Sequence, residues 1–178
     1  MTIDIDRFVR QRVLIVGDVN TGKSRYTEAI LCALVRSAGA AAVCVIDLAP
    51  QLTNGVGGKL TVPEDVRYRT ADIIAPRLTA RSREEMEQLA RDNARRAAEC
   101  FDAYLQRPQP ILVVNDATLF LQAGDPDHFS RLLAAAETAV VNAYYGRHFQ
   151  DSVLSRRERR RVEALMAACD RTEYLPRP

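Results

Sequence analysis

Apolar residues in this chain fall into two alternating patterns. Short unbroken runs, at Arg12–Val16, Ala42–Ile46, Ile111–Asn115 and Thr138–Asn142, read as strands buried on both faces. Between them lie longer stretches where apolar residues recur every three or four positions, the period of an amphipathic helix. The first runs to about Ser37 with Ile30, Leu31, Leu34 and Val35 inward, and Gly39 stops it. The longest spans Arg83–Leu105; Ser82 and Glu85 form a capping box, and Met86, Leu89, Ala90, Ala97, Cys100, Phe101 and Tyr104 keep the spacing. Asp125-Pro126 opens a third helix to about Glu137, with proline where a first turn tolerates it. Ser155 with Glu158 is the expected cap of a last helix to about Cys169, and Thr172–Leu175 closes the chain as a strand. Val66–Tyr68 is a short strand candidate. Gln51–Lys59, with Gly55, Gly57 and Gly58, and Thr70–Arg81, interrupted by Pro76, fit neither pattern. The alternation predicts one α/β domain over 1–178, a mainly parallel sheet flanked by helices in three layers, with a mobile segment over 51–82.

One stretch changes the picture from architecture to chemistry. Val13–Val16 leads into Gly17-Asp18-Val19-Asn20-Thr21-Gly22-Lys23-Ser24, and a helix follows at once. This is the spacing of a phosphate-binding loop. Glycines let the backbone curl so that its N–H groups, with those of Asn20, Thr21 and Arg25, point at phosphate oxygens. Lys23 carries positive charge to the outer phosphates, Ser24 offers a hydroxyl to Mg²⁺, and the helix N-terminus adds partial positive charge.

Such a loop needs acids nearby. Asp116 follows the run Ile111–Asn115, the strand-end position from which a carboxylate holds Mg²⁺. Asp47 ends the second strand and has two readings: a metal or nucleophile-positioning acid, or a loop cap. Asp18 either orients substrate or ties the loop by an Asx turn. Lys59, Arg77, Arg81 and Arg83 are the candidate cations for charge developing in phosphoryl transfer. Arg77 is preferred, because Pro76 and apolar neighbours restrain it.

Composition narrows the setting. Of 178 residues, 47% are hydrophobic and 27% charged, which suits a globular domain, and a formal net charge of +2 argues against a globally nucleic-acid-binding surface. The first residues carry early acids and no long apolar run, so no secretory signal or membrane span is expected. Cys32, Cys44, Cys100 and Cys169 are scattered within apolar patterns and read as buried thiols of a cytoplasmic protein. His128 and His148 are isolated, so the expected metal is the one that travels with a nucleotide. Arg156–Arg161, five arginines and one glutamate, opposes the helix dipole where it stands. It reads as a solvated face or as a surface for an acidic or nucleic-acid partner.

These residues resemble the P-loop NTPases that include MinD-type ATPases, dethiobiotin synthetase and the polynucleotide-kinase-like RNA 5′-hydroxyl kinases. Gly17–Ser24 is similar to their Walker A loop. Asp47-Leu-Ala-Pro-Gln51 resembles the element after strand two in which the first acid serves metal or catalysis, with Ala49 in place of a second acid. Val140-Val-Asn142 resembles a strand-end Asn that contacts the base, and Leu175-Pro176 the segment packed beside it. The resemblance therefore implies a base pocket at Asn142 and Pro176. The guanine-specific pattern Asn-Lys-x-Asp is not matched after Asn142, which favours ATP over GTP. Many relatives of this kind act as dimers, and a homodimer is implied here too.

The expected activity is Mg²⁺-dependent binding and hydrolysis of ATP by Lys23, Asp47, Asp116 and Arg77, with Ser24, Asp116 and Asp47 around the metal. A kinase acting on a small metabolite or a nucleic-acid 5′-hydroxyl would use the same donor site, with Gln51–Lys59 and Asn142–Gly146 forming an acceptor pocket. A nucleotide-dependent switch with little turnover, partnered through the arginine-rich helix, is the third reading.

Overall fold

A computed structural model describes residues 3–52 and 57–176. Its elements, in chain order, are β1 (Arg12–Gly17), α1 (Lys23–Ala38), β2 (Val43–Asp47), β3 (Arg67–Thr70), α2 (Pro76–Thr79), α3 (Arg83–Leu105), β4 (Ile111–Asn115), α4 (Thr118–Leu121), α5 (Pro126–Ala134), β5 (Thr138–Tyr144), α6 (Val153–Ala168) and β6 (Arg171–Leu175). The strands form one sheet in the order β3-β2-β4-β5-β1-β6, and every pairing is parallel. The carboxyl ends of the strands therefore share one edge, and the loops that leave them are neighbours.

The unbroken apolar runs follow from burial on both faces. Val13, Ile15, Val43, Val45, Val113 and Val140 pack against Ile30, Leu31 and Leu34 of α1. The alternate residues Leu14, Val16, Cys44, Ile46, Leu112, Val114 and Val141 face Phe101 and Tyr104 of α3, Phe120 of α4, Phe129 of α5 and Val162 of α6. Helix, sheet and helix make three layers. Ile30, Leu31 and Leu34 are fully buried, which contributes about 1.5–3 kcal/mol for each side chain.

Three elements depart from expectation. α6 is capped by Ser152, whose Oγ accepts the Ser155 N–H at 3.0 Å, not by Ser155 with Glu158. Glu158 instead lies in the helix interior, buried. Pro76 does not merely interrupt the segment over 70–81; it occupies the first turn of α2. α4, absent from the sequence reading, is one apolar turn directly after the end of β4. The part of the glycine loop that includes Gly55 lies outside the described residues.

Candidate functional site

β1 delivers the chain to Gly17, where a Cβ would stand 2.6 Å from Thr21 Oγ1 and 2.9 Å from the Leu175 carbonyl oxygen. No larger residue fits without displacing β6. The loop beyond is fixed by its own polar groups. Asp18 is buried; its Oδ1 accepts the Val19 N–H at 2.8 Å and its Oδ2 the Arg147 N–H at 3.1 Å. Thr21 donates to the Asp18 carbonyl at 3.0 Å. Asn20 and Gly22 take left-handed φ values of 59° and 83°, the second of which glycine adopts at no steric cost. Asp18 thus acts as the tie of the loop.

α1 then starts from Gly22 with no side-chain cap and no acid in its first turn. Its first N–H groups and the positive end of its dipole are left for an anion. Lys23 Nζ lies along the loop, donating to the carbonyls of Gly17 at 3.1 Å and Asp18 at 2.5 Å. Burial lowers its pKa, and the nearby carboxylates of Asp116 and Asp18 work against that shift.

Asp116, one residue past β4, adopts a φ of 52°. Aspartate tolerates this region better than most residues, yet it remains strained, and such strain concentrates at functional sites. Its N–H donates to Asn142 Oδ1 at 2.8 Å. Burial raises its carboxyl pKa, with Lys23 the strongest opposing influence.

Asn142, on β5 between β1 and β4, joins these parts. Its amide nitrogen donates to Asn115 Oδ1 at 2.7 Å and to Thr27 Oγ1 at 2.9 Å, and Thr27 donates to the Lys23 carbonyl at 2.9 Å. Asn115 passes the chain on to Asp47 Oδ1 at 2.8 Å. The network is buried and runs from α1 to β2. With both ends of its amide engaged there, Asn142 is a bracket for Asp116 and α1.

Asp47 is likewise consumed. Oδ1 also accepts the Ala49 N–H at 3.1 Å, while Oδ2 accepts the Leu60 N–H at 2.7 Å and the Tyr68 hydroxyl at 3.2 Å. It is fully buried and does not line the cavity described next, so its geometry is that of a loop anchor and not of a metal ligand. Lys59 braces the same corner, donating to the Asp47 carbonyl at 3.1 Å and Thr70 Oγ1 at 2.7 Å.

A cavity of about 390 Å³ opens over the carboxyl edge of the sheet. Asn20, Thr21, Gly22, Lys23, Ser24 and Arg25 form one wall, and Arg77, Asp116 and Asn142 stand on others. Gly17 supports the loop from beneath. Pro176 does not line the cavity, and neither do Arg81 and Arg83.

Arg77 is held firmly. Its Nη2 donates to Glu158 Oε2 at 2.6 Å, and its guanidinium lies 4.6 Å from the Phe149 ring centre and 5.8 Å from that of Tyr144. Gln122 Nε2 donates to the same Glu158 oxygen at 2.8 Å. Burial pushes the Glu158 pKa up, against the pull of Arg77. Gln122 and Glu158 were invisible as site residues in the sequence. One stands in an apolar helical turn, and the other in a run of arginines.

That run is largely absorbed by the fold. Arg157 pairs with Glu87 at 2.8 Å, Arg161 donates to the Leu121 carbonyl at 2.8 Å, Arg156 pairs with Asp151, and Arg159 lies 4.2 Å over Tyr145. Attachment to α3 and α4 is the reason for positive charge at a helix start.

Among the described residues, no group of three or more His, Cys, Asp and Glu is placed to hold a metal. The donor set nevertheless suits Mg²⁺ carried on a phosphate. Ser24 and Asp116, both on the cavity wall, would offer a hydroxyl and one carboxylate, leaving the other positions of such an ion to phosphate oxygens and water. Among the described residues, no helix is long and apolar enough to cross a membrane.

The all-parallel six-stranded sheet between two layers of helices, with a glycine-flanked loop joining β1 to α1, defines a three-layer α/β fold. No family model matches the chain, and no curated protein matches it in sequence. Among solved structures it is similar to the flagellar accessory protein FlaH from Methanocaldococcus jannaschii, at 12% identity over 89% of this chain and 74% of that one, with a TM-score of 0.47. It is also similar to the Pif1 helicase from Candida albicans, at 13% identity and a TM-score of 0.38, over 99% of this chain and 39% of the helicase. Neither likeness is strong enough to bear on activity.

Proposed function

We propose that the chain binds a nucleoside triphosphate with Mg²⁺ at Gly17–Ser24 and transfers its terminal phosphoryl group, with water as the simplest acceptor. The observation that carries this reading is the convergence on one cavity of Lys23, Ser24 and Asp116, delivered by α1 and by the end of β4. The backbone of residues 20–24 and the Lys23 ammonium would hold the phosphates. Ser24 and Asp116 would hold Mg²⁺, whose charge draws electron density from the phosphates and favours loss of the outer one. Arg77 would offset charge on the transferring group, since only one of its five N–H donors is given to Glu158. ATP is the preferred nucleotide, from the unmatched guanine pattern after Asn142. The narrower likeness to MinD-type ATPases gains nothing from Asp47, whose oxygens are spent on four donors.

Phosphate release from Mg·ATP tests this directly. Lys23→Ala and Asp116→Asn are each expected to lower the rate by about 10²-fold or more. Release that is absent from the wild type, or unchanged in both variants, would overturn the reading.

A further inference from the structure

The cavity carries more hydrocarbon along one side than phosphates, Mg²⁺ and a water require. Beyond Asp116 it continues along one face of α4, Thr118, Leu119 and Gln122, and is closed by Pro76 and Leu78 of α2 and by Phe149. The Tyr144 hydroxyl accepts the N–H groups of His148 at 2.9 Å and Phe149 at 3.3 Å, which folds that segment back and sets the Phe149 ring against Arg77. This wall is mostly hydrocarbon, and Gln122, 1% exposed, is nearly sealed beneath it with its amide nitrogen given to Glu158.

Position indicates what the wall serves. Lys23 and Ser24 address the outer phosphates, and the apolar wall begins immediately past Asp116, on their side. Among the described residues, none after β6 contributes to it. A molecule lodged there lies next to the phosphoryl group being transferred.

Resting on the phosphoryl-transfer reading above, we infer that this half of the cavity binds the phosphoryl acceptor, a small organic alcohol with a planar or apolar body. Leu119, Leu78, Pro76 and Phe149 cover the body, and the reacting hydroxyl points towards Asp116. In the step, the bond between the terminal phosphorus and its bridging oxygen breaks, and the electron pair leaves on the nucleoside diphosphate. The alcohol oxygen bonds to phosphorus, and its proton is released to solvent. Water then becomes the slow substitute acceptor.

Methyl NMR of the whole chain tests this inference without a known substrate. Leu78 and Leu119 methyls are followed while a non-hydrolysable ATP analogue with Mg²⁺ is added, then, separately, uridine, benzyl alcohol, glycerol or a 5′-hydroxyl oligonucleotide. The expected result is that the analogue alone leaves these methyls nearly in place, and that uridine or benzyl alcohol shifts them in its presence while glycerol does not. Phe149→Ala should weaken that second binding by about tenfold or more, and analogue affinity by less than about threefold. Shifts caused by the analogue alone would show that the wall holds the nucleoside, and would overturn the inference. So would shifts by no compound, or by a 5′-hydroxyl oligonucleotide only. Failure of the analogue to bind at all, read by calorimetry on the same sample, would overturn the phosphoryl-transfer reading instead.

Discussion

At the scale of single residues, the site depends on a few positions whose chemistry and backbone are fixed together. Asp116 combines a left-handed φ with a carboxyl whose pKa burial raises. Mg²⁺ needs the ionised form, so affinity for Mg·ATP should fall as pH drops through that raised pKa, at a pH above the ordinary aspartate range. Asp116→Asn tolerates the same φ and should keep the fold while flattening this pH dependence; binding titrations across acid to neutral pH would read it. Gly146 is a second fixed point. A Cβ there would stand 2.4 Å from the Asp18 carboxyl, so Gly146→Ala should push Asp18 off the loop and weaken nucleotide binding by about tenfold, equivalent to 1.4 kcal/mol. A variant that binds as the wild type does would show that Asp18 does not shape the loop.

At the scale of elements, two buried polar junctions place the residues around the cavity. The Asn142 network ties α1, β4 and β5 together, and Asn142→Ala strands the Asp116 N–H and Asn115 Oδ1 and takes one donor from Thr27 Oγ1. The expected loss is at least about 2 kcal/mol in urea unfolding. The Arg77–Glu158 pair ties α2 to α6, with side-chain exposures of 11% and 3%. Arg77→Ala leaves a buried carboxylate unpaired and should destabilise by about 3–5 kcal/mol. The sign with pH follows from the raised Glu158 pKa, since a raised folded value means stability that is present in acid and lost as pH rises through it. Without Arg77 the value rises further, so the deficit should be small in acid and grow towards neutral pH; adding Glu158→Gln should remove that trend. Urea midpoints at several pH values decide it. The junctions also explain what sequence could not reveal. Gly17–Ser24 and Asp116 were legible because each sits beside an apolar run with a fixed spacing. Glu158 pairs with a residue 81 positions away, and nothing local distinguishes it from a surface acid. Asp47 had the right strand end for a metal ligand, but its four donors come from β3, β4 and loops that only folding assembles.

At the scale of the whole molecule, the strand order turns these pieces into one site. The alternating patterns revealed the layers and the parallel strands, but not which strand lies beside which. With β5 between β1 and β4, Asn142 is centred beneath the cavity, while Pro176 is carried to the edge of the sheet, outside it. A ligand that holds the loop, α4 and α2 at once should stabilise the whole domain. At a hundredfold excess over Kd, Mg·ATP is expected to add about 2.7 kcal/mol, visible as a higher Tm. The most direct test of the account is calorimetric titration of Mg·ATP into the wild type and into Lys23→Ala. The account predicts binding by the wild type and a loss of about a hundredfold or more in the variant. No binding by the wild type, or equal binding by both, would contradict it.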